Sequence, residues 1–334
     1  MAVTLREVAE RAGVSRSAVS RAFTPGASVA PATRARIERA AAELGYAPSA
    51  LASALSTGRT RLIGLVATNF HNPVFLEVFD RFTRALQDRG QRPLLVNLSG
   101  ETDPAAPARL LRSYSVDAVI VASSTLPPGF AAAFRAAGLP TVHSFGRRSA
   151  VPEVHLAGID NVACGRIAAR TLAARGYRRV AFLGGPRAAT STEDRGQGFL
   201  SSARRQGLTA TASFAADYSF DAGRAGMRRL LAAGPPAEAY FCGDDVIAIG
   251  AMSALRDAGL DVPGDVGLLG VNDMEMAGWP LIGLTTIRQP VPEIIAASVE
   301  LALAAAEDPS LPAEVRLFPC RIVERTTLRP MPGR

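Results

Sequence analysis

The apolar residues of this chain follow two different periods, and the change occurs near residue 60. Before it, apolar side chains recur every three or four positions, which predicts helices. Three short helices are predicted, over residues 5–12, 16–23 and 31–44. Thr4 and Glu7 have capping-box spacing, and Gly13 stands where the first helix ends. The stretch Pro48–Leu55 predicts at most one more short helix, which would be marginal by itself.

After residue 60, short apolar runs alternate with helical patterns. Strands are predicted over residues 62–67, 93–98, 118–123, 140–145, 179–185, 239–243, 266–272 and 315–318. Helices are predicted over residues 74–88, 105–113, 129–137, 164–175, 193–206, 222–232, 245–257 and 293–307. Such alternation is typical of parallel sheets covered by helices on both faces. Because some 270 residues are too many for one sheet, two doubly wound α/β lobes are expected after an all-α N-terminal domain.

Charge is distributed unevenly along the 334 residues, whose formal net charge is +7. Residues 1–60 hold eight Arg and four Glu, a net +4, whereas all later residues hold 29 Arg and 26 acidic residues, a net +3. A compact basic segment favours a polyanionic partner, nucleic acid before membrane. Charge alone does not decide this, because small domains of either sign are common.

Composition also argues against several classes of protein. The cysteines, Cys164, Cys242 and Cys320, are widely spaced, which suits structural thiols in a reducing cytoplasm. The first residues carry charges where a signal peptide has its apolar core, and no apolar run is long enough to span a membrane. Three histidines, with no metal-ligand spacing, nucleophile elbow or phosphate loop, give no support for an enzyme, a metal or a cofactor.

The segment GVSRSAVSR, residues 13–21, carries the clearest chemistry. Two helices joined by Gly13-Val14-Ser15 have the pattern of a helix–turn–helix. Val19 would face the core, while Arg16, Ser17 and Arg21 would face outward, where recognition helices meet base edges. Arginine suits guanine because its fork matches O6 and N7, and Ser15 and Ser20 suit phosphates. The alternative is an ordinary helical hairpin with a solvated face.

The segments VTLREVAERAGVSRSAVSRAF, ATRARIERAAAELGYAPSALASAL and TRLIGLVATNFHNPVF together resemble the lactose-repressor (LacI/GalR) family of bacterial transcription regulators. Later segments agree, among them LAGIDNVACGRIAARTLAARGYRRVAFLGG, FCGDDVIAIGAMSALRDAGLDVPGDVGLLGVND and LTTIRQP. The resemblance covers nearly the whole chain in order. It implies a periplasmic-binding-protein-like effector domain behind the helix–turn–helix domain.

The resemblance also implies roles for particular residues. Arg16 and Ser17 stand at the family's two variable specificity positions, and Arg21 matches its base-contacting arginine. Pro48–Leu55 resembles the hinge helix, with Leu55 as the leucine that wedges into the minor groove; ordinary packing is the alternative for Leu55. The expected DNA-binding residues are Thr4, Ser15, Arg16, Ser17, Ser20, Arg21 and Leu55.

A small-molecule effector is expected in a cleft between the two lobes. The expected effector-binding residues are Phe75, whose ring could stack on a ligand, and the residues that the resemblance implies, namely Ser191, Arg195, Tyr218, Asp244 and Asn272. Helix capping or surface placement is the alternative for each of them, and Asp245 is interpreted as a cap. Asn272 replaces the family's usual Asp, and Phe145 lies near a position that is often Asp. Losing two carboxylates weakens the case for an ordinary sugar and leaves room for an acidic, phosphorylated or less polar compound. Arg187, near the expected pocket mouth, would suit an anion, and a solvated surface side chain is the alternative.

The sequence therefore predicts a cytoplasmic DNA-binding regulator, most simply a homodimeric repressor of a near-palindromic operator. A helix–turn–helix domain is expected over residues 1–46, a hinge over 47–60 and an effector domain over 61–330. Its first lobe would cover about 61–158 and 290–318, and its second about 160–287 and 320–330. The alternatives are a solute-binding protein without a DNA role, which would need a signal peptide, and an α/β enzyme, which would need a catalytic constellation.

Overall fold

The computed structural model describes residues 3–24, 26–47, 54, 58–100 and 103–332. The chain divides into two compact units, Met1–Arg61 and Leu62–Arg334. They are described separately below.

The N-terminal unit is a three-helix domain. Its helices are α1 (Leu5–Ala12), α2 (Arg16–Ala22) and α3 (Pro31–Leu44). Val8, Val19 and Ile37, one from each helix, are fully buried and form the centre of its core. Gly13 takes a left-handed conformation (φ 60°) at the end of α1, which turns the chain into α2 and which a residue without a side chain adopts freely.

The second unit is an α/β domain with two six-stranded sheets. The first lobe contains β1 (Leu62–Ala67), α4 (Val74–Gln87), β2 (Arg92–Asn97), α5 (Ala105–Ser113), β3 (Ala118–Ala122), α6 (Pro128–Ala136), β4 (Thr141–Ser144) and β5 (His155–Ile159). α11 (Val291–Glu307) and β11 (Val315–Phe318) return to this lobe. Its sheet has the order β11-β5-β4-β3-β1-β2, with every pair parallel.

The second lobe contains α7 (Asn161–Ala174), β6 (Arg179–Gly184), α8 (Thr190–Arg205), β7 (Thr209–Phe214), α9 (Phe220–Ala233), β8 (Ala239–Cys242), α10 (Asp245–Asp257), β9 (Gly267–Asn272), β10 (Thr286–Arg288) and β12 (Arg321–Val323). Its sheet has the order β12-β10-β9-β8-β6-β7. β12 pairs antiparallel with β10, and the other pairs are parallel. The doubly wound, two-lobed architecture expected from the alternating pattern is confirmed.

The chain passes between the lobes at three places: after β5, between β10 and α11, and between β11 and β12. Strands β5, β7, β10 and β12 were not predicted from the sequence. β5, β10 and β12 have five residues or fewer, and β7 is a half-exposed strand at the edge of its sheet. Such strands depend on their neighbours rather than on a long apolar run.

Candidate DNA-recognition helix and effector cleft

Helix α2 presents one buried and one exposed face. Val19 and Ala22 are buried, whereas Arg16, Ser17 and Arg21 are exposed. The structure records no ion pair or hydrogen bond from either arginine side chain to the described residues. Both side chains therefore face outward, as the sequence predicted.

Two of the predicted DNA-binding hydroxyls cap helices. The Thr4 hydroxyl accepts a hydrogen bond from the Glu7 backbone N–H, and the Glu7 carboxylate accepts one from Thr4 N at 2.7 Å. The bond from Thr4 N, together with a second one that Thr4 Oγ1 donates to the same carboxylate at 2.7 Å, lowers the pKa of the Glu7 carboxyl. Ser15 Oγ accepts from Ala18 N at 3.2 Å and lies 2.9 Å from Ser17 Oγ. Thr4 and Ser15 are thus exposed N-cap residues of α1 and α2. The positive end of each helix dipole would favour a nearby phosphate.

Ser20 is exposed on the same helix, and its carbonyl oxygen accepts a hydrogen bond from Thr24 Oγ1 at 2.9 Å. Leu55 and most of the expected hinge helix lie outside the described residues. The wedge role of Leu55 therefore stays a prediction.

The second unit contains a cleft between its lobes, and the cleft together with the open solvent at its mouth has a volume of about 480 Å³. Of the six expected effector-binding residues, five line this cleft: Phe75, Arg195, Tyr218, Asp244 and Asn272. Ser191 is buried behind the cleft wall, where its Oγ lies 3.0 Å from Tyr218 Oη. The cleft thus collects residues from both lobes, including pairs more than a hundred positions apart in sequence.

Asp244 is at the centre of the polar wall. Its Oδ2 accepts hydrogen bonds from Asn72 Nδ2 and Asn272 Nδ2, each at 2.9 Å. Its Oδ1 accepts from Val246 N at 2.9 Å, so it also caps α10. Burial raises the pKa of the Asp244 carboxyl to about 6, although these hydrogen bonds and Arg195 act in the opposite direction. At neutral pH this carboxylate is an acceptor for hydroxyl or amide donors of a ligand.

Asp245, by contrast, does not cap the helix as the sequence interpretation held. It is fully buried, accepts hydrogen bonds from Thr286 Oγ1 at 2.5 Å and Met274 N at 2.9 Å, and so ties α10 to β10 and to the segment after β9. Burial holds the pKa of its carboxyl well above the ordinary value. Of two adjacent carboxylates, the first is the cap and faces the cleft, and the second is structural.

Arg195 projects from α8 into the cleft and is itself buried. It donates from Nε to Asn161 Oδ1 at 2.8 Å and from Nη1 to the Gly243 carbonyl at 2.6 Å. These two bonds fix the plane of the guanidinium group in the second lobe. A side chain held in this way is preorganised to bind an acceptor, because little of its conformational freedom remains to be lost.

Tyr218 lies beside it, with its hydroxyl 2.6 Å from Thr192 Oγ1 and 3.0 Å from Ser191 Oγ. Burial raises the pKa of the Tyr218 phenol. The ring therefore remains neutral at physiological pH.

The opposite wall of the cleft is apolar and belongs to the first lobe. It is formed by Phe75, Val74 and Val78 of α4, by Phe145 after β4 and by Val291. Phe145 takes a left-handed conformation (φ 62°), as do Asn69 (φ 61°) and Asn272 (φ 114°) in the same cleft. Non-glycine residues in this region are strained, and such strain collects at binding sites.

Several contacts join the lobes around the cleft. Arg147 of the first lobe donates to Asp194 Oδ2 at 2.9 Å and Glu193 Oε2 at 2.7 Å in α8. The Ser124 carbonyl accepts from Ser191 N at 3.1 Å. Together with the bond from Asn72 to Asp244, these contacts close the two lobes on each other. Arg187, which the sequence placed near the mouth, is exposed and lies over the Phe214 ring at 5.3 Å.

Some cleft residues were not chosen from the sequence, namely Asn69, Asn72, Ser124, Gln289 and Val291. Asn72 could have been chosen, because it follows the first strand at its carboxyl end. Gln289 follows β10, a strand of three residues that gave no apolar run. Its position at the cleft depends on the passage of the chain between the lobes from β10 to α11, which the structure shows.

Residues 4–49 match the model of "Bacterial regulatory proteins, lacI family", and residues 169–328 match that of a periplasmic binding protein-like domain. The ribose operon repressor of Escherichia coli (strain K12) is 31% identical, covering 92% of this chain and 94% of the relative. The chain belongs to the lacI family of bacterial regulatory proteins. The transcriptional repressor CytR of the same strain is 29% identical over 99% of this chain and 98% of its own.

A solved structure agrees with this assignment over the same length. The lac repressor dimer bound to operator and the anti-inducer ONPF is 25% identical and has a TM-score of 0.87, covering 98% of this chain and 99% of that one. The lacI-family protein described here is thus a DNA-binding transcriptional regulator with an effector domain, and not an enzyme. Its described helices include none long and apolar enough to cross a membrane.

Proposed function

We propose that this regulator is a homodimeric repressor whose affinity for a near-palindromic operator is set by a small molecule in the interlobe cleft. The similar lac repressor was solved as a dimer on operator with ONPF, which supports this assembly. Since its target is chromosomal DNA, the protein would act in the cytoplasm.

The exposed face of α2 carries the DNA-binding part of the proposal. Arg21 and Arg16 extend from a helix that is anchored through Val19, and both lack partners among the described residues. In a dimer, two such helices would enter successive major grooves and contact two half-sites. Thr4, Ser15 and Ser20 would contact phosphates, and Leu55 would insert into the minor groove between the half-sites.

The cleft supports a ligand with two different sides. Phe75 and Phe145 offer an apolar surface for a ring or a sugar face. Asp244, Asn272 and Arg195 offer one carboxylate, one amide and one guanidinium group for its polar edge. With a single carboxylate at the centre of this wall, a compound with few hydroxyl donors, or one with an acidic group facing Arg195, fits better than a fully hydroxylated sugar.

Ligand binding would act through the contacts that hold the lobes together. A compound that binds better when Asn72, Ser124 and Arg147 meet the second lobe favours the closed arrangement, and one that separates them favours an open arrangement. The operator affinity changes only if the two arrangements bind DNA differently, since coupling is a difference in affinity between states.

The DNA-binding part is tested by selecting operator sequences from random duplexes with the full chain and measuring affinities by gel shift. We expect Arg21→Ala to lower the affinity for the selected operator by about 5- to 100-fold per half-site, the value of one bidentate guanine contact. Arg36→Ala is the matched control, because Arg36 is an exposed arginine on α3. Equal losses for both variants would mean a general charge effect, and an unchanged Arg21→Ala would contradict the proposed role.

The effector part is tested with a thermal-shift screen of sugars, sugar acids, phosphosugars and nucleobases, followed by gel shift with each stabilising compound. A compound that stabilises the protein and changes the operator affinity supports the proposal. Stabilising compounds together with no selected operator would instead indicate a solute-binding protein.

A further inference from the structure

The turn after β9 holds a backbone conformation that few residues adopt. Asn272 has φ 114° and Asp273 has φ 61°, so two consecutive non-glycine residues lie at positive φ. Each costs free energy, and such a turn persists only when the surrounding structure determines it. Asn272 is the residue of this turn that lines the cleft.

The second residue of the turn is held by two arginines. The Asp273 carboxylate, whose side chain is only 4% exposed, accepts a hydrogen bond from Arg288 Nε and another from Arg325 Nη2 at 2.6 Å. Arg325 in turn donates to the Leu284 carbonyl at 2.7 Å. The carboxylate therefore joins the end of β9 to the end of β10 and to the C-terminal segment.

This ion-pair cluster lies directly beside the cleft contacts. Arg288 pairs in register with Asn272 across the two strands, and the next residue is Gln289. Gln289 Nε2 donates to Asn272 Oδ1 at 2.5 Å, and Asn272 Nδ2 donates to Asp244 Oδ2 at 2.9 Å. Two adjacent links thus connect β9 and β10: amide to amide inside the cleft, and carboxylate to guanidinium beside it.

We propose that Asp273, clamped by Arg288 and Arg325, is a positioning residue that holds the Asn272 amide against Asp244 and so sets the donor pattern of the effector cleft. This rests on the proposed effector function of the cleft. Without the clamp, the strained turn would relax and the Asn272 amide would leave Asp244. Asp273 itself would not touch the ligand.

The test follows the titration of Asp244 by carboxyl-carbon NMR in the full chain without any ligand. The charged and titratable groups near Asp244 are Arg195, Asp245, Cys242 and Tyr218. Asp273→Asn removes a negative charge, and charge alone would lower the measured Asp244 pKa. Loss of the Asn272 hydrogen bond would raise it instead. We expect a rise above the wild-type value, so the sign of the shift separates positioning from simple electrostatics.

Asp257→Asn is the matched control, because Asp257 also accepts hydrogen bonds from two arginines, Arg224 and Arg228, at the far end of α10. It should leave the Asp244 titration unchanged. In an Asn272→Ala background, Asp273→Asn should no longer raise the Asp244 pKa. For Asp273→Asn alone, a fall in the Asp244 pKa or no change would overturn the proposal. A full additional rise in the Asn272→Ala background would overturn it as well.

Arg288→Gln provides a second route if Asp273→Asn does not fold, because it removes one arm of the clamp and leaves Arg325 in place. Loss of the Arg288 charge alone would also raise the Asp244 pKa, so this variant is compared in the wild-type and Asn272→Ala backgrounds. We expect a rise that is larger in the wild-type background, and a wild-type titration or an equal rise in both backgrounds would overturn the proposal. Gel shift on the selected operator is run in parallel. If the wild-type chain binds no operator, that result counts against the proposed function. The Asp244 titration would still decide the role of Asp273.

Discussion

His143 provides a quantitative prediction about the first lobe. Its imidazole is 1% exposed, and its Nε2 lies 3.0 Å from the Ser123 carbonyl oxygen. Burial lowers the pKa of His143 from 6.5 to about 4, with the Ser123 carbonyl acting in the opposite direction. The side chain therefore stays neutral in the folded protein at pH values at which it would be protonated in the unfolded chain.

The sign of the pH dependence follows from proton binding. Between pH 6.5 and 4 the unfolded state binds a proton at this site that the folded state does not, so stability rises with pH. The contribution of His143 is complete above about pH 6.5 and is lost as the pH falls toward 4. A difference of 2.5 in pKa corresponds to about 3 kcal/mol.

Asp244 opposes this effect in the wild-type protein. Its pKa is raised from 3.8 to about 6, so the folded state binds the extra proton and stability falls as the pH rises through this range. That change is also about 3 kcal/mol. Because the two effects act in opposite directions over overlapping ranges, the wild-type curve alone would hide both.

The perturbation is therefore His143→Gln, which removes the titrating ring but retains an amide donor for the Ser123 carbonyl. Urea unfolding of both proteins, followed by circular dichroism from pH 7.5 to 4.5, gives the difference in unfolding free energy. We expect the advantage of the wild type to shrink by about 2–3 kcal/mol toward acid pH. His71→Gln, at an exposed site, controls for loss of a histidine. A difference that stays constant with pH would refute the reasoning.

Three further substitutions test the site and the packing. Arg195→Ala should leave operator affinity intact and remove the response to a stabilising compound, and an unchanged gel-shift titration with that compound would contradict it. Gly165→Ala should cost about 2–4 kcal/mol, because its Cβ would lie 2.1 Å from the Arg195 carbonyl oxygen, whereas Gly129→Ala meets nothing within 4 Å and should be neutral or slightly stabilising in urea unfolding. Thr4→Ala should cost about 1 kcal/mol through the lost cap in thermal unfolding of the full chain, and Thr4→Ser should restore it.

The cleft shows where sequence reasoning succeeded and where it stopped. Asp244 and Asn272 were found because both stand at the carboxyl ends of apolar strands and match polar ligand positions of the family that the chain resembles. Asp244 was expected at the cleft and lies there, but the cap of α10 was wrongly assigned to Asp245, because either of two adjacent carboxylates could cap the helix. The choice depends on Thr286 and Met274, which approach Asp245 from segments far along the chain.

The sequence by itself determined what depends on near neighbours. The helical period placed Val19 inward and Arg21 outward, the Thr4–Glu7 spacing produced the cap, and the alternating apolar runs produced the doubly wound lobes. These features involve residues within a few positions of each other, so the pattern of side chains is sufficient to specify them.

Only the tertiary structure decided what depends on distant segments. The bond between Asn72 and Asp244 joins residues 172 positions apart, and the Asp273 clamp joins β9, β10 and the C-terminal segment. The short strand β10 exists because β9 and β12 lie on its two sides and satisfy its backbone groups. Contacts of this kind form when the lobes assemble, and no local pattern records which of many polar residues will meet.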